Sequence, residues 1–289
     1  MSVERKISKP DWLKIKLPNT ADYKWMHQTI RDNELHTICT SGKCPNAAEC
    51  WSMGTATFMI LGDICTRACK FCNVKTGKPL PVDTNEPFRI ARSVEIMKLK
   101  HAVITSVDRD DLEDGGADIW AETIRLTKEK NPNTTMEVLI GDFNGMHRDI
   151  QKVVDAKPEV ISHNLETVRR LTPVIRSRAK YDLSLSVLKF MSDQGVQTKS
   201  GIMLGLGETE DEVIQTMDDL RAAGVNIMTI GQYLQPSIKH LPVIEYISPE
   251  QFKKYETIGL KKGFQFVESG PMVRSSYHAE KHVKKLSDL

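Results

Sequence analysis

No cysteine follows Cys72, and all six cysteines of the chain lie between Cys39 and Cys72. A disulfide framework would spread its cysteines through a small secreted domain, so this distribution excludes one. No window approaches the apolar length of a transmembrane helix. The N-terminus, Met-Ser-Val-Glu-Arg-Lys, lacks the apolar core of a secretory signal. An excess of one charge is missing too: 40 Lys and Arg against 38 Asp and Glu leave a formal charge of +2. That balance argues against nucleic acid or an anionic membrane as the main partner. There is no internal repeat and no low-complexity tract. No Ser/His/Asp or paired-carboxylate arrangement for acid–base work stands out. Clustered reduced thiols fit a reducing compartment, and a cytoplasmic protein is expected.

What is present is enough for a core: 289 residues, 40% of them hydrophobic, fit one large domain or a barrel. Apolar, β-rich runs at 55–61, 102–107, 136–140, 160–162, 197–204 and 225–230 predict strands. Helical segments are expected between them, near 88–98, 117–129, 148–155, 165–171, 182–192 and 209–223. This alternation argues for βα units and a parallel sheet. Thr209 with Glu212 makes a capping box and Gly224 a stop; Ser248-Pro249 is a second start and Gly263 its stop. Six units are too few for an eight-fold barrel, so an open, partial barrel is expected. The division expected is an N-terminal extension over 1–54, the barrel over 55–235 and a C-terminal extension over 236–289. The basic stretch from His278 to Lys285 reads as a solvated tail.

The cysteines fall into two triads. Cys65, Cys69 and Cys72 form Cys-x3-Cys-x2-Cys directly after the first expected strand, and Cys39, Cys44 and Cys50 lie in a Gly/Pro-punctuated loop before it. Three thiolates can hold three corners of a cubane iron–sulfur cluster and leave the fourth iron open for chemistry. A structural zinc site would want a fourth ligand and usually two separated pairs. Two cluster sites, each short of one cysteine, is the better account. Gly201-Ile-Met-Leu-Gly205-Leu-Gly207 is not a dinucleotide fingerprint: its glycines are misplaced and it comes too late in the chain.

Cys65-x3-Cys69-x2-Cys72, with Phe71 before the last cysteine, resembles the signature of the radical S-adenosylmethionine superfamily. The second triad and the segment Val273-Arg-Ser-Ser-Tyr-His-Ala279 resemble the lipoyl synthase family, over about residues 11–279. The resemblance implies a partial (β/α)6 barrel of the TIM type. It implies two four-iron, four-sulfur clusters and S-adenosylmethionine as cofactors. The 65/69/72 cluster would chelate S-adenosylmethionine; the 39/44/50 cluster would donate sulfur, with Ser276, or Ser275 in its place, on its fourth iron. Contacts to S-adenosylmethionine are expected from Thr105 and Ser106, the Gly115–Gly116 pair, Glu137, Asn164 and Gly205, with Arg178 and Ser184 as further candidates. Asn164 can equally be an ordinary N-cap of the next helix. The implied substrate is an octanoyl chain on a lysine of a lipoyl-carrier domain, as in 2-oxoacid dehydrogenase E2 subunits or the glycine cleavage H protein. An electron donor such as flavodoxin or ferredoxin is implied as well. Another sulfur-inserting or methylthiolating radical enzyme would share the first triad and the barrel, but would leave Arg274-Ser-Ser-Tyr277 unexplained. A mere electron carrier would not cleave S-adenosylmethionine.

Overall fold

The computed structural model describes residues 8–13, 25, 28, 31, 37, 46–52 and 55–284. Seven parallel strands form one sheet in the order β1-β4-β5-β6-β7-β8-β9. They are β1 (Thr55–Ile60), β4 (His101–Ser106), β5 (Thr135–Leu139), β6 (Val160–Ser162), β7 (Thr198–Leu204), β8 (Ile227–Gln232) and β9 (Phe266–Gly270). Every residue of β1 and of β8 is buried. That is why these strands read as near-continuous apolar runs: a parallel sheet is covered on both faces. β1 and β9 are the two edges, so the barrel is open.

Each crossover carries a helix. After α1 (Ala47–Ser52) come α2 (Glu86–Ile96), α3 (Ala117–Lys130), α4 (His147–Asp155), the short α5 (Thr172–Ile175), α6 (Tyr181–Asp193), α7 (Glu210–Ala222) and α8 (Pro249–Lys261). The expected capping box is present at Thr209, whose side chain accepts from Glu212 N while Glu212 reaches back to Thr209 N. Gly224 follows at φ 82°, the left-handed conformation that glycine adopts without strain. Ser248 caps α8 ahead of Pro249. No helix among the described residues is long and apolar enough to cross a membrane.

Three expectations change. The segment 236–289 is not only an extension, because α8 and β9 complete the sheet. β9 is only half-buried and carries Glu268 and Ser269, so no apolar run marks it. The helix expected over 165–171 is absent. Glu166 instead bridges to Ile202 with a left-handed φ of 67°, and the helix waits until α5. The basic C-terminal stretch is not a solvated tail through residue 284. It forms α9 (Ala279–Lys284), packed beneath β4 and β5, with His282 fully buried.

Candidate functional site

Loops at the C-terminal ends of the strands enclose a cavity of about 320 Å³. The cysteine loop forms one wall. Its two short strands, β2 (Ile64–Cys65) and β3 (Lys75–Thr76), pair with each other. Cys65, Cys69 and Cys72 all line the cavity. A turn from Cys72 N to Cys69 O (3.1 Å) brings the second and third together. Cys65 Sγ accepts from Arg67 N at 3.4 Å and Asp108 N at 3.3 Å. Burial pushes all three thiols up, Cys72 to about 12. They stay protonated until a cation takes the proton's place, which is how a thiolate-ligated metal behaves. Among the described residues no three His, Cys, Asp or Glu side chains converge on a single metal ion. A cubane asks for something else, since each thiolate meets its own iron at a separate corner. Three thiols on one cavity wall, one already receiving two backbone N–H groups, fit that group.

Arg67 pins this loop. Its side chain is only 3% exposed, and it forks onto two carboxylates: Asp110 at 2.8 and 2.7 Å, and Asp142 at 2.8 and 2.7 Å. Asp110 follows β4 and Asp142 follows β5, so one guanidinium ties the cysteine loop to two strand ends. Burial pushes the Asp142 carboxyl up, but the Arg67 hydrogen bonds and charge outweigh it and hold the group at about 2.

The opposite wall follows β6 and β7. Asn164 is buried and lines the cavity, and its Oδ1 has no hydrogen-bond partner. It caps no helix, because none begins there. Arg176 Nη1 donates to Asn164 O at 3.2 Å, Leu165 O at 3.3 Å and Ser184 Oγ at 3.2 Å, which fixes this turn. Ser184 serves Arg176 and His163 rather than the cavity. Gly201 lies alongside: a Cβ there would meet Thr229 Oγ1 at 2.3 Å and Asn164 Oδ1 at 3.2 Å. An orphaned acceptor beside a backbone that tolerates no side chain suits a bound group that donates hydrogen bonds. That fits the hydroxyls and ammonium of S-adenosylmethionine.

The other expected contacts divide. Thr105 and Ser106 line the cavity, and Thr105 Oγ1 also donates to Leu139 O at 3.1 Å. Glu137 reaches the cavity from the floor, but both oxygens are engaged. Oε1 accepts from Ser162 Oγ at 2.7 Å and Oε2 from Lys199 Nζ at 2.9 Å, with both ion-pair side chains 1% exposed. Gly115 and Gly116 do not line it. They turn the chain into α3 with φ of 60° and 89°, and a Cβ on Gly116 would meet Leu61 Cδ1 at 2.5 Å. Gly205 stands behind the wall against Gln232 and Glu245 O, and Gly201 is the glycine that faces inward. Arg178 is 60% exposed, does not line the cavity, and reaches Asp110 Oδ2 at 3.4 Å.

Ser275 and Ser276 both line the cavity, together with the cysteine loop. Their segment leaves β9 and runs against α1, which carries Cys50. Asn46 Nδ2 donates to Met272 O at 2.6 Å and Tyr277 Oη to Glu49 Oε1 at 3.2 Å. Cys50 is buried. Cys39 and Cys44 lie outside the described residues.

Residues 59–220 match the Radical SAM superfamily. The chain is 65% identical over 275 residues to the lipoyl synthase of Treponema denticola, covering 95% of each. The chain belongs to the lipoyl synthase family. The family's lipoyl synthase from Flavobacterium psychrophilum is 62% identical over 96% of each chain, and the mitochondrial lipoyl synthase of Nematostella vectensis is 61% identical over 95% of each. The fold is similar to that of the FeFe-hydrogenase maturase HydG, with TM-score 0.57 at 14% identity over 91% of this chain and 65% of that one. It is also similar to methylornithine synthase PylB, with TM-score 0.56 at 12% identity over 87% and 79%. The motifs of this lipoyl synthase family sequence pass over Arg67, Asp142, Arg176 and Thr229, and include Gly201 only as the start of the glycine-rich segment. Only Arg67 left a signal, a charge set between two cysteines that must share one wall.

Beneath the cavity, His101 and His282 are buried near Lys199. Burial, then the Lys199 charge, lowers His101 to about 3 and His282 to about 2; burial lowers His163 to about 4. Each folded value lies below that of an unfolded histidine, near 6.5. The unfolded chain therefore takes up protons that the fold refuses, so stability is full above pH 6.5 and falls as pH drops toward 4. The midpoint of anaerobic urea unfolding should decline from pH 7 to pH 5, and the decline should be smaller in His101→Leu. An unfolding midpoint level across that range would contradict this account.

Proposed function

We propose that the chain builds the lipoyl group by inserting sulfur at carbons six and eight of an octanoyl chain held on a lysine of a carrier domain, with the cluster of the N-terminal triad as sulfur donor. The observation that carries this is one cavity lined both by Cys65, Cys69 and Cys72 and by Ser275 and Ser276, with the segment of the serines bonded to the helix that carries Cys50. When bound, the cluster on Cys65, Cys69 and Cys72 supplies an electron that turns S-adenosylmethionine into a hydrogen-abstracting radical source, and the cluster on Cys39, Cys44 and Cys50 supplies sulfur.

The chain's own residues bind and orient. Asn164 Oδ1 accepts a hydrogen bond from the cofactor, and Gly201 lets it lie against the backbone. Met59, Val103, Ile202 and Met203 give the cavity an apolar lining that takes an alkyl chain and excludes water. Unactivated carbon–hydrogen bonds offer no acidic proton, so no general base is required. Ser276 is a hard oxygen ligand, readily displaced from iron, which suits a cluster that is dismantled in use. Arg274 and Tyr277 hold its segment, Tyr277 through Glu49. The carrier domain stays outside the mouth.

The test is an anaerobic reaction with an octanoyl-lysyl peptide on protein whose clusters carry isotopically heavy sulfide, read by mass spectrometry. Two heavy sulfurs in the lipoyl product are expected; unlabelled product would remove the cluster as donor. Ser276→Cys should still assemble its cluster but give up sulfur poorly, and Ser276→Ala should weaken the second insertion without lowering S-adenosylmethionine cleavage. Wild-type lipoyl yield from both variants would reject Ser276 as the ligand.

A further inference from the structure

We propose that the outer face of the cysteine loop is the docking surface for a small acidic one-electron carrier protein, centred on Lys70, Ile238 and Lys239. The proposal rests on the function proposed above, which consumes electrons from outside. Electron tunnelling falls off exponentially with distance, so the donor must sit where the Cys65/Cys69/Cys72 wall is thinnest. That place is the loop itself, and a second loop lies directly upon it. His240 Nε2 bonds Cys72 O at 3.0 Å, its Nδ1 bonds Ser237 Oγ at 2.9 Å, and Leu241 N donates to Lys70 O at 3.4 Å. Lys70 N in turn donates to Ile175 O at 2.9 Å, at the end of α5. Beneath these joints an apolar cluster of Ile175, Leu206 and Tyr233, with Phe71 and Leu241 packed on it, makes the two loops one surface.

That surface sets exposed aliphatics beside free cations. Ile238 is 84% exposed and Val174 is 56% exposed, on either side of Lys70. Lys70 and Lys239 are exposed, and neither side chain is in an ion pair among the described residues. Lys75 in the same loop, by contrast, is taken up by Asp63 at 2.7 Å. Unpaired cations flanking exposed aliphatics, with a cluster ligand one residue away, select a partner with an acidic rim and an apolar contact around its redox centre. On contact the reduced carrier gives one electron to the cluster held by Cys65, Cys69 and Cys72 and is itself oxidised by one electron.

The test uses full-length holoprotein, with reduced flavodoxin as the acidic carrier and dithionite as the small-molecule reductant. Lys239→Glu and Ile238→Asp should each weaken flavodoxin binding by about tenfold or more in calorimetry, more steeply as salt is lowered for the charge reversal. The flavodoxin-driven yield of 5′-deoxyadenosine should fall in step, while the dithionite-driven yield and the iron content stay at wild-type values. Unchanged flavodoxin binding in both variants would overturn the proposal. So would a raised KM for the octanoyl-lysyl carrier under dithionite, which would assign the face to the carrier domain. Absence of dithionite-driven cleavage in the unaltered protein would instead overturn the function proposed above.

Discussion

Cys69→Ala is expected to reduce S-adenosylmethionine cleavage to background, whereas Cys50→Ala should retain cleavage and lose lipoyl formation. Cys69 sits between the other two thiols of its wall, and the turn from Cys72 N to Cys69 O makes the pair a unit. Removing one thiol leaves a cubane two protein ligands, and no other cysteine is within the loop to replace it. Cys50 lies on a different element, α1, which bonds the segment carrying Ser276, so under the proposed function its loss touches only the cluster proposed to donate sulfur. Separate assays of 5′-deoxyadenosine by chromatography and of the peptide by mass spectrometry resolve the two outcomes. Lipoyl peptide formed by Cys50→Ala at the wild-type rate would contradict the division of labour.

The second large effect belongs to Arg67. Arg67→Leu should destabilise the fold by about 3–5 kcal/mol, the usual consequence of stripping a buried carboxylate of its cation. Here the loss falls on two carboxylates, 6% and 2% exposed: Asp142 loses its cation, and Asp110 keeps only the longer contact to Arg178. Arg67→Lys should recover only part of the loss, because an ammonium cannot fork onto two carboxylates at once. Anaerobic urea unfolding measures the stability. Iron content measures whether the cysteine loop still assembles its cluster, and it should fall in Arg67→Leu before any change in the barrel's far-UV circular dichroism. An Arg67→Leu protein of wild-type stability and full iron content would refute the positioning role.

That Cys65, Cys69 and Cys72 share one cavity was legible because they are close in sequence, and spacing is a sequence property. The β-strands from 55 to 232 were legible because each is buried on both faces, which forces an apolar run. Thr209 and Ser248 were legible because a cap is a local device. β9 was not, since it is only half-buried and tolerates Glu268 and Ser269. The solvated-tail reading of 278–285 failed because charge was taken for exposure. His282 is fully buried, kept neutral by its surroundings, and that cost is met by packing no local window displays.

The sequence by itself determined the alternating architecture, the two thiol triads and their family, because each depends on residues near one another along the chain. Only the tertiary structure decided which polar groups share the cavity. It joined Arg67 to Asp110 and Asp142, put Gly201 rather than Gly205 on the inner wall, and engaged Glu137 with Lys199. It also brought Ser276 to the same cavity as Cys69, more than two hundred residues away. Such pairings follow from strand order and register in the sheet. A carboxylate taken out of water must find a cation wherever the fold supplies one, and its position in the chain says nothing of where that will be.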